Sequence, residues 1–259
     1  MNQLLEGKNI VVMGVANKRS IAWAIAKSLY NSGANLIFTY QGEKFGKNLK
    51  QLVEEEMKQS LMMYSCDVTK DEDIKLLFED LRKDVGVIHG VVHSIAHAKV
   101  EELEGQFMNT SRDGYAMAQD ISVYSLVAVA REAAPLMTEG GGIVTMSYLG
   151  GERVVRNYNV MGVAKAALEA SVRYLAYDLG PQQVRVNAIS AGPIRTLAAK
   201  GVSDFNFILS EIEEKAPLRR TTDHEEVGDT ALFLMSHLSR GVTGEVIHVD
   251  SGYHVIGMV

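Results

Sequence analysis

Two side chains in the middle of the sequence are spaced for proton chemistry. Tyr158 and Lys165 stand seven residues apart in Asn157-Tyr-Asn-Val-Met-Gly-Val-Ala-Lys165, a stretch that reads as helix. At about 100° per residue, seven residues turn through about 700°, within roughly 20° of two full turns. Both then share a face, about 10 Å apart along the axis. Long helical side chains lean toward the helix N-terminus, which aims Lys165 back at Tyr158. A cation beside a phenol lowers its pKa and helps it give up a proton. The same ammonium can hold the ribose hydroxyls of a nicotinamide cofactor, and the small Gly162 and Ala164 are expected to let the helix lie close to it. Tyr and Lys fall two turns apart by chance on many helices, so the pair takes its meaning from its setting.

That setting has the marks of a nucleotide site. Gly14-Val-Ala-Asn-Lys-Arg-Ser20-Ile-Ala22 follows the apolar run Asn9–Met13. Gly14 suits a tight turn. Ser20 stands where a helix begins, a capping position from which the hydroxyl can also donate to a phosphate oxygen. The helix start adds free N–H groups and a positive dipole end. The glycine pattern is not G-x-G-x-x-G, so alone it is a weak signal. After the second apolar run comes Gln41, where a dinucleotide site usually carries an acid for the ribose hydroxyls. An amide bonds a 2′-hydroxyl without repelling a 2′-phosphate. Gln41 tilts the reading toward NADH with NADPH left open, and Lys44 turned inward would favour NADPH. Asp67-Val68 follows the third run. Asp67 is read either as a partner for an adenine amino group, with Val68 on the ring, or as a helix cap. His93-Ser-Ile95-Ala follows the fourth. No cysteine or carboxylate cluster accompanies His93 and His97, so no metal site is expected.

The elements that must position these residues alternate. Strands are expected at 9–13, 35–40, 60–66, 87–93, 142–147, 184–189 and 246–249. Helices are expected at 20–32, 43–59, 71–85, 111–138, 157–179 and 222–236. Near-continuous apolar strands such as Ile10-Val-Val-Met13 belong to a parallel sheet covered on both faces. The pattern predicts an α/β fold: a single Rossmann-like doubly wound domain over residues 1–259, with a seven-stranded parallel sheet flanked by helices. Ligands then bind at the carboxyl ends of the strands, where the residues above lie.

The chain has 259 residues with a formal net charge of -6, which argues against a nucleic-acid partner. A single cysteine, Cys66, excludes an intrachain disulfide and fits a reducing compartment. The sequence shows no signal-peptide pattern and no apolar run of membrane-spanning length, so a soluble, cytoplasmic protein is expected.

Taken together, these stretches resemble the short-chain dehydrogenase/reductases, and within them the divergent branch typified by bacterial enoyl-[acyl-carrier-protein] reductases. The stretches that carry the resemblance are Gly14–Trp23, Cys66–Val68, Ser147–Gly150, Asn157–Lys165, Arg185–Thr196 and Val249–Gly252. Ordinary members use Tyr-x3-Lys and a Gly-rich first turn. Tyr-x6-Lys and the longer Gly14-to-Ser20 loop are similar to the enoyl reductase branch.

The resemblance implies NAD(P)H-dependent reduction of a trans-2-enoyl thioester on acyl-carrier protein in fatty-acid synthesis. It implies catalysis by Tyr148, Tyr158 and Lys165, and substrate contact at Ala98, Tyr148 and Tyr158. It carries Gly14, Ser20, Ile21, Gln41, Asp67, Val68, Ile95, Lys165, Ile194, Arg195, Thr196, Leu197 and Ala198 over as cofactor contacts, and it implies a homotetramer. Residues about 194–220, with Gly201, Phe205, Phe207 and Ile208, read as a lid over the acyl chain. Lys200 and Arg219-Arg220 are candidates for docking an acidic carrier protein. Alternatives are a carbonyl (3-oxoacyl) reductase of the same superfamily and a non-catalytic cofactor-sensing protein.

Overall fold

The computed structural model describes residues 3–57, 62–196 and 205–257. Seven strands form one parallel sheet: β1 (Asn9–Met13), β2 (Asn35–Tyr40), β3 (Met62–Ser65), β4 (Gly90–His93), β5 (Gly141–Ser147), β6 (Val184–Ala191) and β7 (Val246–Val249). Their order is β3-β2-β1-β4-β5-β6-β7, with every pair parallel. Chain order reverses between β1 and β4. That reversal opens the crevice in which a doubly wound Rossmann-like sheet binds its ligand.

The apolar strand runs are explained by burial on both faces. Val11, Met13, Val91, Ile143 and Val186 point into one core. That side is covered by α3 (Asp71–Asp84), α4 (Arg112–Gln119), α5 (Ser125–Ala133) and α6 (Asn159–Leu179). Ile10, Val12, Val92, Val144 and Ile189 point into the other core. That side is covered by α1 (Ile21–Asn31), α2 (Gly42–Glu56) and α8 (His224–Met235), while α7 (Phe205–Lys215) lies between β6 and α8 in the chain.

Three expectations shift. The helix expected at 111–138 is two helices joined by a π turn at Asp120–Tyr124 and closed by a 3₁₀ turn. The β4 strand starts at Gly90, not Val87, and residues 60 and 61 of the third expected strand lie outside the described residues. The helix expected to start at Asn157 begins at Asn159, because Asn157 takes a left-handed φ of 59° and Tyr158 is its N-cap. No helix among the described residues is long and apolar enough to cross a membrane.

Candidate active site

The carboxyl ends of the central strands surround a cavity of about 930 Å³. Its floor is built where the loops after β1 and β4 meet. Gly14 has φ +97°, and a Cβ there would sit 2.0 Å from the Ser94 carbonyl oxygen. The glycine is therefore demanded by the contact between the two loops on either side of the switch point, as well as by the turn.

Ser20 is the N-cap residue of α1 but does not cap it with its side chain. Its Oγ instead accepts from the Ala16 and Asn17 amides at 3.0 and 3.1 Å. With the lone pairs so used, the hydroxyl hydrogen is left to donate into the cavity. The Ile21 and Ala22 N–H groups precede the first bond back along α1, which Trp23 makes to the Ser20 carbonyl at 2.9 Å. Gly14, Ser20 and Ile21 all line the cavity, so this end offers donors and a positive dipole suited to a pyrophosphate.

At the far end lie Gln41, Asp67 and Val68. Asp67 is not a helix cap; Lys70 holds that position for α3. Its Oδ1 accepts from the Thr69 amide at 3.1 Å and hydroxyl at 2.7 Å. Burial pushes its carboxyl upward, but the Thr69 bonds and one from Gln41 outweigh this and hold it below the ordinary value. Lys44 is exposed and lies off the cavity lining.

Ile95 and Ala98 line the cavity from the loop after β4. That loop is pinned by Ser122, whose Oγ accepts from the His97 amide at 3.0 Å and faces the His97 carbonyl at 3.3 Å. Ser122 belongs to the π turn, a device common near functional sites. No sequence signal marks it. His93 is buried, with Nδ1 3.1 Å from Thr145 Oγ1 and Nε2 2.8 Å from Ser125 Oγ. Burial, with Lys165 second, pulls its pKa down to about 3. Among the described residues no cluster of His, Cys, Asp and Glu could hold a metal.

Tyr148, just after β5, and Tyr158, at the start of α6, meet edge to face with ring centroids 4.8 Å apart and planes at 71°. Both line the cavity. Burial pushes the Tyr148 phenol up to about 12. Burial and then Tyr148 push Tyr158 higher still, so both phenols remain O–H donors.

Lys165, 5% exposed, donates from Nζ to the Met146 carbonyl at 2.7 Å. The expectation that Lys165 lowers the Tyr158 pKa is corrected here. The ammonium is turned to the end of β5, and burial controls the phenol. Gly162 and Ala164 also differ from expectation, since neither lines the cavity. Gly162 packs on the Gly150 carbonyl, 2.7 Å from where a Cβ would stand, and Ala164 is core.

After β6, Ile194 and Thr196 line the cavity. Arg195 is exposed and turns to Asn206 Oδ1 at 2.7 Å. Leu197, Ala198, Lys200 and Gly201 lie outside the described residues. Beyond them α7 presents Phe205 and Ile208 to the cavity, while Phe207 is 64% exposed. Arg219 donates to the Glu214 carbonyl. Arg220 makes two bonds to Glu226, at 2.8 and 2.6 Å, beside the capping box of α8. Both arginines are thus engaged within the protein.

A cleft with a helix N-terminus and Ser20 at one end, Gln41 and Asp67 at the other, and two phenols near a buried lysine suits dinucleotide-dependent reduction. Comparison with known proteins points the same way. A family model described as enoyl-(acyl carrier protein) reductase matches residues 14–254. The enoyl-[acyl-carrier-protein] reductase [NADH] FabI of Bacillus cereus is 65% identical over 98% of this chain and 100% of its own length. The [NADPH] FabI of a Staphylococcus aureus strain is 60% identical over 97% of this chain and 98% of its own. The crystal structure of the B. cereus enoyl-acyl carrier protein reductase with NADP+ and indole naphthyridinone superposes with a TM-score of 0.98, covering both chains fully at 65% identity. The chain belongs to the enoyl-(acyl carrier protein) reductase family.

Proposed function

We propose that the chain reduces a trans-2-enoyl thioester on acyl-carrier protein in fatty-acid synthesis, with NADH preferred over NADPH. The observation that carries this reading is the paired phenols, Tyr148 and Tyr158, at the cavity wall with Lys165 set deeper. Gly14, Ser20 and Ile21 hold the pyrophosphate, and Gln41, Asp67 and Val68 the adenosine. Ile95, Lys165, Ile194 and Thr196 hold the nicotinamide half. Arg195, Leu197 and Ala198 belong to that set. When bound, the nicotinamide supplies a hydride to C3 of the substrate.

Hydride addition at C3 drives negative charge onto the thioester oxygen, several bonds from the carbon attacked. A stabilising donor must therefore sit away from the hydride path, and the seven-residue step from Lys165 back to Tyr158 provides that distance. Tyr158 donates to the developing enolate oxygen, where a fixed donor aimed at the developing charge counts for most. Burial keeps the proton on the phenol, so Tyr158 meets that charge as a hydrogen-bond donor. Tyr148 lines the acyl pocket with Ala98 and buttresses Tyr158.

The NADH preference is supported by Gln41 and by Lys44, which is exposed and lies off the cavity lining, away from a 2′-phosphate. The whole chain acts as one reductase domain with residues about 194–220 as its lid. A cytoplasmic homotetramer fits the family, and Tyr174 and Tyr177, 76% and 83% exposed on the outer face of α6, are available to an interface.

The test is nicotinamide absorbance with both cofactors, comparing a crotonyl with an acetoacetyl thioester. Oxidation of NADH by the crotonyl substrate alone is the expected result. Turnover of the acetoacetyl substrate alone would make the protein a carbonyl reductase.

A further inference from the structure

The helix that carries Lys165 holds a second buried ionisable group that the reaction leaves unexplained. Glu169 lies one turn further along α6 and is 6% exposed. Ser147 Oγ bonds its Oε1 at 2.5 Å. The residue before it, Met146, supplies the carbonyl that Lys165 reaches. The end of β5 thus holds both side chains, the ammonium by main chain and the carboxyl by side chain. The loop after β5 leaves room for the acid, since a methyl on Gly151 would fall 2.9 Å from Glu169 Oε1. A buried carboxylate is costly unless its charge is used, and an apolar side chain would fill the same space without that cost.

We propose that Glu169 is a positioning residue, the buried counter-charge that keeps Lys165 an ammonium facing the cofactor. The inference rests on the assignment of Lys165 to the cofactor. The surrounding groups fit it. From β4, Lys165 faces His93, which burial keeps neutral. Glu169 faces Arg173 on its own helix, Glu152 after β5 and His248 on β7, and the last two are paired at 2.7 Å. Burial pulls the Lys165 ammonium down to about 8, and Glu169 opposes that pull. Burial pushes Glu169 up, and the Ser147 hydroxyl opposes it.

The experiment measures NADH affinity by fluorescence from about pH 6 to about pH 9.5 in the wild type, Glu169→Gln and Lys165→Met. Lys165 is charged below its pKa, so wild-type affinity falls as pH rises through about 8. In Glu169→Gln that fall starts about one unit lower, giving about fivefold weaker binding near pH 8 and nearly unchanged binding near pH 6. An unchanged midpoint, or equal weakening at every pH, overturns the proposal. Lys165→Met separates the two readings. If it binds NADH like the wild type at every pH, the assignment of Lys165 fails. If it weakens binding while the Glu169→Gln midpoint stays put, only the counter-charge fails. Should Glu169→Gln not fold, infrared titration of the buried carboxyl gives the answer, because the coupling is reciprocal. The Glu169 midpoint then rises in Lys165→Met relative to the wild type, and an equal midpoint in the two proteins overturns the proposal.

Discussion

Gly150 lies against the ring of Tyr158 so closely that a Cβ on it would come within 2.4 Å of Tyr158 Cδ1. The loop after β5 therefore sets the phenol's position by contact. Gly150→Ala has to move the ring, and overpacking of this kind costs about 1–3 kcal/mol. Enoyl turnover should fall at least tenfold while NADH binding stays within about twofold, because a small displacement of a positioned group is costly to rate. Steady-state kinetics beside a thermal melt will check this, and normal kcat in the variant would show that the loop does not place the ring.

Tyr158→Phe keeps the edge-to-face contact with Tyr148 and removes only the hydroxyl. Loss of one donor to a developing oxyanion costs about 10²–10³ in kcat. The fall should appear in kcat with the NADH dissociation constant nearly unchanged. Wild-type turnover would move the donor role to Tyr148.

The two faces of α7 should behave differently. Phe205 and Ile208 face the cavity, whereas Phe207 is exposed. Phe205→Ala and Ile208→Ala should raise KM for long enoyl chains more than for crotonyl substrate, while Phe207→Ala leaves both alone. A uniform effect across chain lengths would remove α7 from the acyl pocket.

His93 makes stability depend on acid. Its folded pKa, about 3, lies below the ordinary 6.5, chiefly through burial. The folded state therefore binds fewer protons in that interval. The His93 contribution is complete above about pH 6.5 and is lost as pH falls toward 3, at up to roughly 1.4 kcal/mol per pH unit. Urea unfolding at neutral and mildly acidic pH should show a shallower loss in His93→Gln than in the wild type. Parallel losses would place the acid sensitivity elsewhere.

Periodicity located the sheet well. Asn9–Met13, Asn35–Tyr40 and Val246–Val249 are strands with the bounds expected from apolar runs and flanking turn residues. The crevice followed from strand alternation, and most residues read as cofactor contacts do line one cavity. What stayed hidden depends on tertiary contact. The π turn adds a residue to a helix without breaking its apolar face, so the roles of Ser122 and Ser125 were invisible. Asn157 tolerates the left-handed conformation that moves Tyr158 out of the helix proper. Glu169 reads as one more polar residue on a long helix until Ser147 is seen across from it.

The loop proposed to receive the pyrophosphate keeps its own cations off the cavity lining. Lys18 is tied to Glu55 and Glu56 at 3.4 and 2.9 Å, and Arg19 is exposed. What remains is Ser20 and main-chain N–H groups, which are dipoles. Mobile ions screen net charges over a Debye length and have little hold on short contacts of this type. NADH affinity should therefore change less than about threefold between roughly 0.02 and 0.5 M salt. An enzyme built this way keeps its grip on the cofactor through swings in cellular ionic strength.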